Sequence, residues 1–216
     1  DYSVSLNQAK LTAYVQSLAS KYNTYGRKRN FITTKGDTIV IGGGDYGWVI
    51  NKKGEAAQIV EDIKNGESVT REPKYEQRAF VEGADDIGNT YIEIDYTNQH
   101  LWYYKDGSLV VDSDIVSGNL NNGNGSPDGV FKVISRQSPA TLKGEDYESD
   151  VTYFMPFAYN VGLHDASWRS SFGGSIYKNG GSHGCINLPY DAADTIYKNV
   201  ELGTPVVAYY REDVKL

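Results

Sequence analysis

Ser182-His183-Gly184-Cys185-Ile186-Asn187 holds the only cysteine of a 216-residue chain and one of its three histidines. Upstream by 21 residues, Val161-Gly162-Leu163-His164-Asp165 supplies a second histidine. One thiol and two imidazoles are the parts of a cysteine nucleophile and its base. Burial as an inert structural residue is the commoner fate of a single cysteine. The setting argues otherwise. Ser-His-Gly-Cys is polar, follows the loop Asn179-Gly180-Gly181, and reads as a strand-to-helix junction.

Cys185 is the expected nucleophile, and an imidazole or nearby amide dipoles can lower a thiol pKa from its usual value of about 8.5. His164 is the expected base, approaching from a separate strand. If residues 182–185 are extended, alternation puts His183 and Cys185 on one face, so either histidine can flank the sulfur. The same alternation turns Asp165 away from His164. A backbone carbonyl or the Ser182 hydroxyl is therefore the expected orienting group, by the logic of catalytic triads. Ser182 also has a plain reading as a turn hydroxyl. The N–H groups of Gly184 and Cys185 are candidate oxyanion donors, commonly contributing about 2.7–4 kcal/mol each. Asn187 either fixes the loop or binds substrate amides. His100, among Leu101, Trp102 and Tyr103, reads as an ordinary strand residue.

Toward the amino end, Leu11, Tyr14, Val15, Leu18 and Tyr22 follow helical spacing. Phe31–Thr34 and Thr38–Ile41 flank Lys35-Gly36-Asp37 as a hairpin. Gly42-Gly43-Gly44-Asp45-Tyr46-Gly47 matches G-x-G-x-x-G literally, but a dinucleotide loop needs a helix to open directly from the glycines. Trp48-Val49-Ile50 looks extended instead, so a glycine-rich turn or bulge is expected. A helix over Glu55–Lys64 presents Ala56, Ile59, Val60 and Ile63 on one face. The domain boundary is placed near Glu82-Gly83-Ala84-Asp85, giving a mixed α/β accessory domain at 1–82 and a second domain at 83–216. In the latter, Thr90–Tyr96 and His100–Lys105 form a hairpin, and strands continue through Leu109–Val116 and Gly129–Ser135. Many short strands with Asn/Gly-rich turns predict a sandwich or barrel-like β structure. One helix follows Pro189, with Ala192, Ala193, Ile196 and Val200 inward and a stop near Gly203.

The pattern of a histidine, about twenty residues, Ser-His-Gly-Cys, one apolar residue and then Asn or Arg resembles the signature of L,D-transpeptidases with a YkuD-type catalytic domain. Tyr91–Asp95 with Gln99–Gly107 resembles the opening hairpin of that domain, and Ser126-Pro127-Asp128-Gly129-Val130-Phe131 its Thr-Pro-x-Gly-x-Phe element, with serine for threonine. The resemblance covers about residues 88–216. Residues 1–82 are similar, less specifically, to a module that precedes this domain in some Gram-positive enzymes. It implies that Cys185 attacks the third-residue carbonyl of a tetrapeptide donor stem, expels D-alanine and forms a thioester. The amine of an acceptor stem then resolves it into a 3→3 peptidoglycan cross-link. It also implies His164 as base, His183 near the substrate path, Trp168 in a mobile wall, and Tyr153 and Met155 beside the peptide cleft, although the plain reading of Tyr153–Phe157 is core and turn packing. Acylation by carbapenems, an extracytoplasmic cell-wall location and no metal or other cofactor belong to the same expectation.

Several classes are weighed against it. A formal charge of −7 argues against nucleic acid. A sortase would carry Thr-Leu-x-Thr-Cys and a following arginine, which this chain lacks. Zinc at His164, His183 and Cys185 has suitable ligand types but no strong metal-site spacing. A non-catalytic wall-binding module would carry a thiol inert to electrophiles. No apolar run reaches a membrane span. The chain opens at Asp1 without methionine, as a fragment or processed form does, so a membrane anchor ahead of it stays open. One cysteine forms no internal disulfide and does not identify the compartment. Nothing in the pattern asks for an oligomer, so a monomer is expected.

Overall fold

A computed structural model describes residues 5–66, 68–83, 85–144 and 147–211; Ala84, in the expected boundary, lies outside the described residues. In chain order come α1 (Gln8–Tyr22), β1 (Arg29–Ile32), β2 (Thr38–Ile41), β3 (Val49–Ile50), α2 (Lys52–Asn65) and β4 (Tyr75–Gln77). Next are β5 (Tyr91–Asp95), β6 (His100–Lys105), β7 (Ser108–Asp114), β8 (Gly129–Lys132), β9 (Ala140–Lys143) and β10 (Glu148–Val151). The chain closes with β11 (Phe154–Ala158), β12 (Val161–Asp165), α3 (Ile176–Gly180), β13 (Ile186–Leu188), α4 (Tyr190–Asn199) and β14 (Pro205–Tyr209). Two compact units result, one from the segments up to Tyr25 and from Gly47 to Asp86, the other from Gly26–Tyr46 and Ile87 onward.

In the first unit, the Asn7 side chain caps α1 by accepting from Lys10 N–H, and Leu11, Val15 and Ala19 are buried at four-residue spacing. Tyr14 and Tyr22, expected on that inward face, are about half exposed. Asn51 caps α2 by accepting from Gly54 N–H, and Gly66 ends it at φ +69°. The expected apolar face of α2 is only partly covered. Its one buried residue is Glu55, which receives Arg71 and the Lys74 N–H. Antiparallel β3 and β4 complete this mixed α/β unit.

The second unit is built on two sheets. Five strands run in the order β7-β6-β5-β14-β8, and three in the order β11-β12-β13. Both sheets and α4 feed one core, including Ile92, Ile94, Leu101, Phe131, Met155, Phe157, Leu163, Ile186 and Ile196. Asp106 and Gly107, both at positive φ, make the tight β6–β7 turn. The β1–β2 hairpin belongs to this unit because of a buried carboxylate. Glu93 accepts from Thr34 N–H, from the Thr34 hydroxyl at 2.6 Å and from Tyr209 Oη at 2.7 Å. Burial raises its pKa even so. The glycine run after the hairpin is a close backbone crossing, as expected of a turn rather than a phosphate loop. A Cβ on Gly44 would lie 2.0 Å from the Val130 carbonyl oxygen.

The decisive pairing is β12 with β13, which run parallel with His164 opposite Asn187. Parallel neighbours need a long crossover, here residues 166–185 containing α3. That crossover is why the upstream histidine stands about twenty residues before the cysteine. Cys185 sits where the crossover enters β13, after the short helix α3 rather than after the expected strand.

Candidate active site

Cys185, His164, Asn187, Ser182, His183 and Gly181 line one cleft of about 210 Å³. Trp168 and Arg169 from the crossover, and Leu142, Tyr147 and Ser149 from the β9–β10 hairpin, complete its walls. The backbone behind the cysteine is held from Val116 to Asn119. Val116 and Asn187 exchange N–H···O bonds, Ser182 N–H donates to Ser117 O, and Asn119 N–H to Ser182 O. Ser126, 1% exposed, adds a clamp: its hydroxyl accepts from Gly118 N–H and donates to Gly184 O at 2.6 Å.

Hydrogen bonding fixes the state of His164. Arg169 can only donate, and its Nε–H meets Asn187 Oδ1 at 2.6 Å. The Asn187 amide nitrogen therefore faces His164 Nε2, 2.9 Å away, and must donate to it. His164 Nδ1 faces the Asp165 carbonyl oxygen at 2.8 Å, which can only accept. The imidazole is thus the neutral Nδ1–H tautomer with its lone pair at Nε2. The orienting group is a backbone carbonyl, one of the two alternatives expected. Burial lowers the His164 pKa, the Asp165 carbonyl opposing it and the Arg169 charge adding to it.

The thiol departs from expectation. Burial raises the Cys185 pKa, with only partial relief from the Gly162 backbone N–H. The thiol donates to Asn160 O at 3.8 Å and makes no hydrogen bond to His164. A neutral thiol beside a neutral imidazole is the resting pair. Catalytic hydrogen bonds are often long before substrate tightens them.

Other expected residues divide. His183 stacks on Tyr147, ring centroids 4.4 Å apart at 17°, on the cleft wall. Trp168 is 52% exposed and lies 5.9 Å from the His164 ring. The Ser182 hydroxyl donates to Cys185 O and accepts from Gly184 N–H, so it orders the loop and not the imidazole. That bond takes up Gly184 N–H, the expected oxyanion donor, whereas Cys185 N–H has no partner among the described residues. Gly184 at φ +129° occupies a conformation that side chains disfavour. Asn187 is 2% exposed with its amide spent on His164 and Arg169, an arrangement closer to the fixing role than to the substrate contact, the two alternatives expected of it.

Two expectations are corrected. Met155 is fully buried opposite Leu163, filling the core with its apolar stem. Tyr153 turns toward α4, its hydroxyl donating to Asp194 at 2.6 Å and its ring against Tyr197. Neither lines the cleft. Arg169, Tyr147 and Ser126 were not read as site residues. The one available signal was Trp168-Arg169, which sets a cation beside an aromatic residue inside the crossover. As for zinc, both His164 nitrogens are already bonded, and among the described residues no group of three or more His, Cys, Asp or Glu could hold a metal ion.

A family model described as "L,D-transpeptidase catalytic domain" matches residues 89–207, more than half of the chain. The chain belongs to the L,D-transpeptidase family. A second model, "Putative peptidoglycan binding domain", matches residues 1–71 of the transpeptidase. The whole transpeptidase is similar to a crystal structure of a cysteine-to-serine mutant of the Enterococcus faecium L,D-transpeptidase. That match has 38% identity and a TM-score of 0.83, covering 97% of this chain and 85% of that one. A structure of the Ldtfm-avibactam carbamoyl enzyme matches at 39% identity and TM-score 0.82, covering 97% and 83%. The NMR structure of the E. faecium catalytic domain acylated by ertapenem is 46% identical at TM-score 0.51, over 56% of this chain and 97% of that domain. No curated protein matches the chain. The protein is a cysteine-dependent peptidoglycan L,D-transpeptidase, and with one cysteine in the sequence the nucleophile is Cys185. Among the described residues, no helix is long and apolar enough to cross a membrane.

Proposed function

We propose that the transpeptidase forms 3→3 cross-links between tetrapeptide stems, with His164 as the base for Cys185. The observation that supports this reading is that His164 and Cys185 line one cleft while the hydrogen-bond chain holds the imidazole neutral with its proton on Nδ1, so that Nε2, which accepts from the Asn187 amide at rest, is the nitrogen able to take a proton. When a donor stem fills the cleft, the Asn187 amide gives up its bond to His164 Nε2, and that nitrogen takes the thiol proton as Sγ attacks the carbonyl carbon of the third residue. The oxyanion falls to the unpartnered Cys185 N–H, joined by Gly184 N–H if the Ser182 hydroxyl releases it. The imidazolium protonates the departing D-alanine amine, and the carbonyl re-forms as a thioester. An amine of the acceptor stem attacks that thioester, His164 removes its proton, and the thiol is restored. His183 and Tyr147 offer a flat aromatic wall to the stem, and Trp168 a half-exposed cover. Water competes with the acceptor amine at the thioester, which favours a partly closed site.

Stem peptides and carbapenems are the proposed ligands, in line with the relative acylated by ertapenem. The first unit, by its family match, is proposed to hold the enzyme to the wall, and the location is extracytoplasmic. Incubation with a disaccharide-tetrapeptide, read by mass spectrometry, tests the reading. The expected product weighs two stems less one D-alanine and is absent with Cys185→Ala. Neither dimer nor D-alanine release from stems of several third residues would overturn it.

A further inference from the structure

Among the described residues, Arg169 is a cation without an anion. Arg211, also half-buried, is by contrast neutralised by Asp37 and Asp95, and the more exposed Arg71 by Glu55 and Asp62. Arg169 lines the cleft beside Cys185, yet no carboxylate meets it among the described residues. Its single side-chain bond uses Nε–H. The two terminal nitrogens have no partner among the described residues, and neither is a buried orphan, so both reach solvent. With Nε anchored on Asn187, the free end of the guanidinium presents a planar pair of N–H donors, the fork that takes a carboxylate through two parallel bonds. In a chain of net charge −7, a cation left unpaired in the catalytic cleft points to an anionic group on the ligand.

We infer that Arg169 is the carboxylate-reading residue of this transpeptidase, binding an anionic group of the donor stem through its terminal N–H pair. This rests on the reading above that the donor is a tetrapeptide stem. Such a stem offers two sources of the chemistry: the terminal carboxylate of the leaving D-alanine, and a side-chain carboxylate on the third residue. The placement also links recognition to the base. The Arg169 charge presses down on His164 through Asn187. A carboxylate arriving on Arg169 offsets that charge and makes Nε2 a better proton acceptor as substrate seats.

Binding is measured by calorimetry on Cys185→Ala protein, which holds the donor without turning it over. Four stems are compared: free acid, terminal carboxamide, third-residue side-chain carboxamide, and both amides. Loss of the contacted carboxylate weakens binding about 10- to 100-fold, the range of a charge-assisted hydrogen bond. In Cys185→Ala/Arg169→Gln that discrimination collapses to within about twofold, while Cys185→Ala/Arg169→Lys keeps part of it. A purely structural Arg169 would weaken acid and amide stems equally. Unchanged discrimination in the glutamine variant, equal weakening of all four stems, or no discrimination in the parent each overturns the inference. Which amide loses affinity assigns the source. Turnover of the same stems by the wild-type enzyme is scored separately, so failure of transpeptidation is distinguishable from failure of carboxylate reading.

Discussion

The two walls of the cleft are made differently. On the inner wall, β12 and β13 hold His164 and Asn187 as register partners, 3% and 2% exposed, with every polar atom of their side chains assigned to a bond. On the outer wall, Tyr147 of the β9–β10 hairpin stacks on His183, and Trp168 stands half in solvent. Atoms that move protons need fixed geometry, so they sit on sheet backbone beneath a full set of hydrogen bonds. Groups that only shape the path of a peptide can sit on turns and yield to it.

That contrast can be broken by experiment. Replacing Cys185 with Ala removes the nucleophile, and thioester formation with a carbapenem, followed by intact-protein mass, drops about 10⁴-fold or more. His164→Ala removes the base and lowers the acylation rate by about 10²–10⁴-fold in stopped-flow measurements. An equal loss from His183→Ala would reverse the roles of the two walls. The resting thiol gives a pH test. Because burial raises the Cys185 pKa and lowers that of His164, the thiolate grows with pH, and iodoacetamide alkylation climbs about tenfold per unit through neutrality. A rate already level at pH 6 would mean a preformed thiolate–imidazolium pair, against this picture. Asn187→Ala frees the His164 ring and slows acylation about tenfold, the worth of one buried hydrogen bond, with little change in peptide affinity. Tyr147→Ala, on the outer wall, raises KM by about three- to tenfold and leaves kcat nearly alone. If Tyr147→Ala instead lowered kcat as much as Asn187→Ala does, the division between the walls would fail.

How much of this could be read beforehand follows from the range of each interaction. Cys185, His164 and the β5–β6 hairpin are local signals: a rare residue, a short motif, alternation around a turn. The parallel pairing of β12 with β13 leaves no turn residues to read, so the spacing of His164 from Cys185 stayed a pattern without a cause until the crossover was placed. Met155 and Tyr153 lie near His164 in sequence, but core volume and the Asp194 carboxylate claim them. Arg169 escaped because its meaning lies in an absence, the missing carboxylate, which only three-dimensional neighbours reveal. Chain order likewise hides why residues 29–41 pack in the second unit, because their partner Glu93 comes about sixty residues later. The glycine run was readable in part. Its lack of a following helix excluded a phosphate loop, but the close crossing at Val130 was not visible.

The last strand, β14, is an inner strand, seated between β5 and β8. Its Tyr209 also closes the bonds around Glu93. A chain emerging from the ribosome shows its cysteine before it can build the five-stranded sheet that shares a core with the three strands behind that cysteine. Any product cut short before Pro205 lacks that inner strand, leaving β5 and β8 unjoined. The support behind the thiol is therefore whole only when the final strand has been laid between its two neighbours.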